Sequence, residues 1–306
     1  MNKWLTLAAA FAMVSGNASA QEPPAAQTQP PGAADFRAGE EAFKKKDLDG
    51  AIPAFEKALA ANPTLFGGHY YLGLAYKAKQ NWGKCGDNFS QFLTKLGDQN
   101  APDQKAAATR DAGLCYFRAE SFDKAIPMLQ RAASGNAKDG DIQNALGIAL
   151  VRANREPEAE AAFSKAIELK PETPGPYYYA GMINFKRQEF DKAQPRLTKY
   201  LELEPSGPFA PDAHFQIGSI AYQQVEQGGD RATLFPVVKE HMAKFVEGKP
   251  NAPQAPDALY ILGWVAAQEE ANDAAKGYFE RFLQLRPDGP QAEEAKRFIA
   301  ELTRQE

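Results

Sequence analysis

Apolar residues recur along this chain in a pattern that repeats about every 34 residues. Within each repeat a glycine precedes a small residue, and a large apolar residue follows that small residue by four positions. The glycines are Gly39, Gly73, Gly113, Gly147, Gly181, Gly218 and Gly263. The small residues are Ala51, Cys85, Ala125, Ala159, Ala193, Val238 and Ala275, and the large ones are Phe55, Phe89, Leu129, Phe163, Leu197, Met242 and Phe279. Apolar positions four residues apart share one face of an α-helix, so the pattern predicts two amphipathic helices in each repeat.

The ends of these helices are predicted from aspartate and proline. The segments LDGA at 48–51 and FDKA at 122–125 and 190–193 begin the second helices, because an aspartate favours the positive end of a helix. Pro53, Pro127 and Pro195 follow soon after. An interior proline costs about 3 kcal/mol, so these prolines restrict each helix start to the residues just before them.

A 34-residue period with glycine, small and large apolar residues at these positions resembles the tetratricopeptide repeat. Prolines close five of the repeats, at Pro63, Pro171, Pro205, Pro250 and Pro287. The resemblance implies an all-α, right-handed solenoid of about seven helix pairs over residues 32–304, ending in a cap helix at 291–303. One pair cannot bury its apolar face alone, so neighbouring pairs must stack. The predicted repeats are 32–65, 66–99, 106–139, 140–173, 174–207, 211–253 and 256–289.

Two insertions interrupt the period, one near residues 97–104 and one at 223–235. The second insertion is expected to lengthen the turn inside the sixth repeat. Long loops in a repeat array are either tolerated excursions or functional surfaces, and the first interpretation is favoured here. The later repeats share a linker phrase at 205–213, 250–258 and 287–295. That phrase resembles periplasmic tetratricopeptide repeat proteins of the outer-membrane-assembly and cell-division-coordinator families.

The N-terminus has the pattern of a signal peptide. A lysine, Lys3, precedes an apolar run from Trp4 to Val14, and Ala18-Ser19-Ala20 has the small-residue form of a cleavage site. Residues 1–20 are therefore predicted to be a signal peptide, and residues 21–31 a disordered Pro-rich spacer. The expected location is the periplasm, with secretion as the alternative. No later stretch has the roughly 20 apolar residues that span a bilayer, so no membrane-spanning segment is predicted.

Charge and motifs narrow the classes of function. The net charge is −4 and neither half is strongly basic, so nucleic acid is not predicted as a partner. No phosphate-binding loop, dinucleotide-binding glycine motif, nucleophile elbow or zinc-ligand spacing occurs. The three histidines, His69, His214 and His241, are interpreted as isolated surface or packing residues. The sequence therefore predicts a protein that is not an enzyme and has no metal and no cofactor.

Cys85 and Cys115 are the two cysteines of the chain. In an exported protein they favour a disulfide, and the predicted repeats place them on helices that pack together. The alternative is a pair of small buried thiols that replace alanine. The sequence leaves both alternatives open.

The resemblance also implies which residues line the concave inner side, because particular positions of each first helix face it. In this chain those positions repeatedly place an apolar residue beside a cation. The predicted partner-binding residues are Lys44, Tyr70, Lys77, Arg110, Phe117, Arg118, Asn144, Arg152, Tyr178, Phe185, Lys186, Phe215, Tyr260 and Trp264. Cations orient acidic groups, and aromatic rings provide contact area. The predicted partner is a protein or peptide segment that carries acidic groups or a C-terminal carboxylate.

Two functions therefore remain open. The first is a non-enzymatic scaffold or adaptor of the cell envelope that binds a partner segment in its groove. The second is a structural subunit of an envelope complex that self-associates or docks through its edges and convex face. Substitutions in the groove distinguish the two, because they harm the first function and spare the second. The sequence does not decide whether the chain forms homo-oligomers.

Overall fold

The computed structural model describes residues 30–97, 101–136 and 138–305, which contain fifteen α-helices and no strand. The predicted signal peptide and most of the predicted spacer lie outside these residues. The helices are α1 (Ala33–Lys44), α2 (Leu48–Ala61), α3 (Gly67–Ala78), α4 (Trp82–Leu96), α5 (Pro102–Arg118), α6 (Phe122–Gly135), α7 (Gly140–Arg152), α8 (Glu156–Leu169), α9 (Pro174–Lys186), α10 (Phe190–Leu203), α11 (Ala210–Glu226), α12 (Arg231–Gly248), α13 (Ala255–Gln268), α14 (Asn272–Leu285) and α15 (Pro290–Gln305). The predicted all-α fold is confirmed.

The helices form seven antiparallel pairs followed by α15. The chain divides into two compact units, one ending at Leu65 and one beginning at Phe66. The pair α1–α2 belongs to the first unit. In the second unit each second helix packs against the first helix of the next pair, from α4 against α5 to α14 against α15. This arrangement follows from the sequence pattern, because each pair leaves an apolar face that its neighbour covers.

Glycine and a large apolar residue pack together inside each pair. At Gly147 a methyl group would come within 2.6 Å of the Phe163 ring, so the ring lies directly on the backbone of α7. Phe163 has no exposed surface, and its ring also stacks on Tyr179 of α9 at 5.3 Å between ring centroids. The glycine positions therefore permit the close approach of two helices, and the large residue fills the space between pairs.

The three prolines that the sequence placed near helix starts, Pro53, Pro127 and Pro195, lie inside α2, α6 and α10. Each is the sixth helical residue, since α2, α6 and α10 begin at Leu48, Phe122 and Phe190. A proline there removes one hydrogen bond to a carbonyl of the first turn. The prolines lie on exposed parts of their helices, where water can replace that bond.

The insertion at 223–235 does not form the lengthened turn that the sequence predicted. Helix α11 continues to Glu226 and α12 starts at Arg231, so the turn between them is short and the two helices have 17 and 18 residues. Val225 and Phe235 are both 5% exposed, so burial of their side chains favours added helical turns over a loop. The insertion near 97–104 also differs in part, because α5 begins at Pro102 rather than near residue 106.

A polar network joins the fourth and fifth pairs. The fully buried Asn184 of α9 donates from Nδ2 to Glu160 of α8 at 2.9 Å and to Glu189 at 2.8 Å. Arg187 and Arg196 form ion pairs with Glu160 at 2.8 and 3.1 Å. Burial raises the pKa of Glu160, but the hydrogen bonds from Asn184 and Arg196 and the two positive charges outweigh burial and lower it. The network therefore keeps Glu160 ionised and fixes the register of the two pairs.

Two histidines that the sequence analysis interpreted as isolated contact each other. The Nδ1 atoms of His214 on α11 and His241 on α12 are 2.8 Å apart, and His214 is 9% exposed. The two residues are 27 positions apart, and the long helices of the sixth pair bring them together. Burial, with the neighbouring His241 and Lys244, lowers the pKa of His214 to about 4, and burial also lowers the pKa of His241. The pair is therefore neutral near pH 7, with one Nδ1 donating and the other accepting.

We expect this pair to make the protein less stable in acid. The unfolded chain binds a proton at each histidine below the ordinary pKa of 6.5, while the folded His214 resists protonation until about pH 4. Stability is therefore lost as the pH falls from about 6.5 toward 4, by roughly 2 to 3 kcal/mol. Glu240 acts against the shift and Lys244 adds to it. Urea unfolding at a series of pH values measures the effect.

The control for this prediction is the double variant His214→Phe with His241→Leu. It retains every titrating carboxylate, so the difference between the two pH profiles isolates the histidine pair. Parallel profiles for the wild type and the double variant would contradict the prediction.

Candidate functional site

The predicted partner-binding residues lie on the first helices of the pairs. Within the second compact unit, α5 contacts α7, α7 contacts α9 and α9 contacts α11. These helices therefore lie side by side and form one continuous face, which we call the inner face. Lys44 is exposed at the end of α1 and belongs to the other compact unit.

Six of the predicted residues stand at the fifth position of their predicted repeats: Tyr70, Arg110, Asn144, Tyr178, Phe215 and Tyr260. The structure buries two of these aromatic residues, Tyr178 and Tyr260, inside the pairs. Tyr178 and Tyr260 are 6% and 8% exposed. Tyr178 stacks on Phe209 at 4.4 Å between ring centroids, and Tyr260 contacts Phe279 and Phe282 at 5.8 and 5.5 Å. These two rings stabilise the helix pairs and offer little contact area to a partner, which corrects the sequence-based expectation.

The other fifth-position residues are less deeply buried. Tyr70 packs on Phe92 at 5.0 Å between ring centroids, and Phe215 packs on Phe245 at 4.8 Å. Arg110 is half-exposed and forms an ion pair with Asp139 at 3.1 Å. The Oδ1 atom of Asn144 is buried and accepts no hydrogen bond from the described residues. Partial burial therefore limits how much of this row is available to a partner.

Three cations at matching positions form a separate row. Arg118, Arg152 and Lys186 end α5, α7 and α9, are spaced by 34 residues and are all exposed. We call them the basic ridge. Arg118 lies over the ring of Trp82 at 4.7 Å, and Lys186 pairs with Glu156. No ion pair of Arg152 occurs among the residues that the structure describes.

Half-buried apolar side chains accompany the basic ridge. Phe117 and Phe185 precede two of the cations, and their rings contact Phe122 and Phe190 of the following helices at 6.3 and 5.9 Å. Lys77 lies in the last turn of α3, but its Nζ atom forms an ion pair with Oδ1 of the mostly buried Asp111 at 2.9 Å. Its charge is therefore largely neutralised, unlike that of Arg152. The structure thus brings together Arg118, Arg152 and Lys186 with Phe117 and Phe185.

The basic ridge stops after α9. The corresponding residues of α11 and α13 are the uncharged Gln223 and Gln268. Trp264 of α13 is half-buried there and meets Tyr222 and Phe235 at ring-centroid distances of 5.6 and 5.9 Å. Sequence analysis missed Tyr222 and Phe235. Tyr222 occupies the same helical position as Phe117 and Phe185, so the repeat register identifies it as a residue of the same row.

The structure joins Cys85 and Cys115 in a disulfide, with 5.9 Å between their Cα atoms. Cys85 lies on α4 and Cys115 on α5, so the bond connects the second pair to the third. Both residues are almost fully buried. The bond ties together the two pairs at the start of the inner face.

No helix in the described part of the chain is both long enough and apolar enough to cross a bilayer. The same residues contain no group of three or more histidine, cysteine, aspartate or glutamate side chains positioned to hold a metal ion.

Comparison with known proteins agrees with the repeat pattern. Two family models, each described as Tetratricopeptide repeat, match this chain. One matches residues 101–174 and 241–290, and the other matches residues 36–65. Together the matches cover about half of the chain and fall mainly on the first, third, fourth and seventh helix pairs, with part of the sixth.

Individual relatives match shorter stretches. The peroxisomal targeting signal receptor of Candida albicans is 39% identical over 59 residues, which are 19% of this chain and 10% of that receptor. The Hsp70-Hsp90 organizing protein of Triticum aestivum is 26% identical over 167 residues, which are 54% of this chain and 26% of that protein. The chain thus spans about a tenth to a quarter of the length of these curated relatives.

A solved structure shows the same fold. The crystal structure of YrrB, described as a TPR protein with an unusual peptide-binding site, has a TM-score of 0.52 and 21% identity to this chain. The likeness covers 61% of this chain and 93% of YrrB. The family matches, the helix pairs and the 34-residue pattern show that the chain belongs to the tetratricopeptide repeat family, whose repeats are protein-interaction modules.

Proposed function

We propose that this protein is an exported, non-enzymatic adaptor that holds an acidic protein segment against the basic ridge of its inner face. The observation that carries the proposal is the ridge. Arg118, Arg152 and Lys186 are exposed at equivalent places on three adjacent helices, although the whole chain has a net charge of −4. An acidic protein gains no general solubility from a row of cations on one face, so the row indicates recognition.

The spacing of the cations in the basic ridge favours a peptide segment over a small anion as the ligand. Each cation belongs to a different helix pair, so one small anion cannot reach all three, whereas an extended or helical peptide can. Phe117 and Phe185 lie beside the ridge and provide apolar contact. In such an interface the rings supply most of the binding energy, and the charges steer and orient the partner.

The relatives support a protein as the partner class. A targeting signal receptor and an organizing protein for two chaperones both act on other proteins, according to their names. The half-buried rings next to exposed cations fit a polypeptide with acidic side chains, or one with a free C-terminal carboxylate.

Export is supported by two independent features. The first is the signal-peptide pattern of residues 1–20, in which a lysine is followed by an apolar run and then by a small-residue cleavage site. The second is the disulfide between Cys85 and Cys115, since disulfides persist in oxidising compartments such as the periplasm. We propose the periplasm as the location. A fusion of residues 1–20 to a reporter that is active only outside the cytoplasm tests this point, and an inactive, full-length reporter contradicts it.

The triple variant Arg118→Glu, Arg152→Glu and Lys186→Glu is expected to weaken partner binding by at least about tenfold, because the introduced glutamates repel an acidic segment. The helical circular dichroism signal should not change, since all three side chains are exposed. Partners are first identified by cross-linking the protein in its own cell extract and analysing the adducts by mass spectrometry. Affinity for the identified partner is then measured by titration.

A matched control reverses three exposed lysines away from the ridge, Lys165, Lys199 and Lys296, each of which pairs with a nearby glutamate on its own helix. This control should retain the adducts. Adducts that persist in the ridge variant would overturn groove binding. In that case the structural alternative predicts that the protein elutes as an oligomer in size-exclusion chromatography with or without the reversal.

A further inference from the structure

The far end of the inner face contains an aromatic cluster of Tyr222, Phe235 and Trp264. Trp264 contacts the other two rings edge-on, at 5.6 and 5.9 Å between ring centroids. Tyr222 and Phe235 both belong to the insertion that lengthens α11 and α12 or lie directly beside it. Tyr222 stands at the repeat position of Phe117 and Phe185, and Phe235 stands at that of Phe122 and Phe190. Both rings reach Trp264 of the next pair.

The aromatic cluster already holds a cation of the chain itself. The guanidinium carbon of Arg231 lies 5.8 Å from the centre of the Trp264 ring and 5.9 Å from that of Phe235. Arg231 also donates from Nη1 to Oε1 of Gln268 at 3.0 Å. It is exposed, and none of the carboxylates in the described residues forms an ion pair with it. The ring faces and one amide oxygen are therefore its binding partners.

Two carboxylates, those of Glu226 and Glu294, act on Tyr222 of the aromatic cluster. Burial, together with the carboxylates of Glu226 and Glu294, raises the pKa of Tyr222 to about 12. Burial and Glu294 also raise the pKa of Tyr260. The basic ridge ends one pair earlier, at Lys186. The ridge cations of α5, α7 and α9 thus give way to the aromatic cluster on α11, α12 and α13.

We propose that the aromatic cluster is a binding site for a lysine or arginine side chain of the partner segment, and that Arg231 occupies this site in the free protein. This inference rests on the proposed function, because Tyr222 of the cluster occupies the position on α11 that Phe117 and Phe185 occupy beside the basic ridge on α5 and α9. The partner segment would then have separated charges, with an acidic stretch on the ridge and a basic residue on the cluster.

The physical reason is the charge distribution of aromatic rings. The ring face is negative and attracts a cation within about 6 Å, most strongly for tryptophan. A lysine or arginine from a partner would replace Arg231 on the same rings. Because Arg231 is an exposed competitor, its removal should increase the affinity of the cluster for an added cation.

The experiment uses the full chain and two small probes, N-acetylarginine amide and its uncharged isostere N-acetylcitrulline amide. Binding is followed through the indole N–H signal of Trp264 in NMR spectra, assigned with the Trp264→Phe variant. We expect Arg231→Ala to bind the arginine probe roughly fivefold more tightly than the wild type. We expect the citrulline probe to cause no saturable shift, and Arg231→Lys to behave like the wild type.

Two results would overturn the proposal. One is equal affinity of the arginine probe for the wild type and Arg231→Ala. The other is equal binding of the arginine and citrulline probes, which would mean that charge is not recognised. The Tyr222→Leu variant in the Arg231→Ala background should lose binding, with its fold checked by circular dichroism. The assay contains no protein partner, so a failure at the cluster can be distinguished from a failure at the basic ridge.

Discussion

Replacement of Phe163 by alanine is expected to lower the free energy of unfolding by about 3 to 5 kcal/mol. The side chain is fully buried, lies against Gly147 of α7 and stacks on Tyr179 of α9. It therefore connects two helices of its own pair and the first helix of the next pair. A cavity at this point weakens both contacts at once, and the surrounding backbone has little freedom to close it.

Urea unfolding and hydrogen exchange measure this effect. In a repeat array each pair depends on its neighbours, so exchange should increase first in α7, α8 and α9. Phe163→Leu retains most of the volume and should cost about 1 to 1.5 kcal/mol. Leu285→Ala removes a side chain that is 44% exposed and should change stability by no more than about 0.5 kcal/mol. A loss at Phe163 no larger than that at Leu285 would contradict the packing described here.

Loss of the disulfide is the second large effect, with an expected cost of about 3 to 4 kcal/mol for the double variant Cys85→Ala with Cys115→Ala. The bond closes a loop between residues separated by 30 positions, so its absence increases the conformational entropy of the unfolded chain. Alanine is the matched replacement, because alanine occupies the positions equivalent to Cys85 in five other repeats. Unfolding midpoints with and without reductant measure the effect.

Reduction of the wild type should reproduce the behaviour of the double variant, and the double variant should not respond to reductant. Free thiols in the unfolded, unreduced wild type should be absent when titrated with a thiol reagent. Two free thiols per chain would show that the cysteines are unpaired in solution. Loss of stability should centre on α4 and α5, which the bond connects.

The repeat register explains why much of the fold could be predicted. The offset from Gly147 through Ala159 to Phe163 defines two facing helices, and its return every 34 residues defines the next pair. The starts of α2, α6 and α10 follow from local chemistry, because aspartate favours a helix start and an exposed proline is tolerated near it. The basic ridge was also predictable, since Arg118, Arg152 and Lys186 occupy one helical position in three successive repeats.

Other features depend on which side chains meet across helices. A tyrosine at position 178 has the same sequence signal whether it is exposed or covered, and Phe209 covers it. The contact between His214 and His241 requires the exact rotation of α11 against α12. The insertion at 223–235 became added helix because Val225 and Phe235 gain burial that a loop would not provide.

Local sequence therefore determined the helix pairs, their number and the order of charged residues along the inner face. These properties rest on interactions within one repeat, which recur wherever the same residues recur. Packing between helices determined the disulfide, the burial of Tyr178 and Tyr260 and the contact of the two histidines. It also determined the position of Arg231 over the rings of Phe235 and Trp264. These contacts join residues from different helices, and the rotation and separation of those helices depend on all the side chains packed between them.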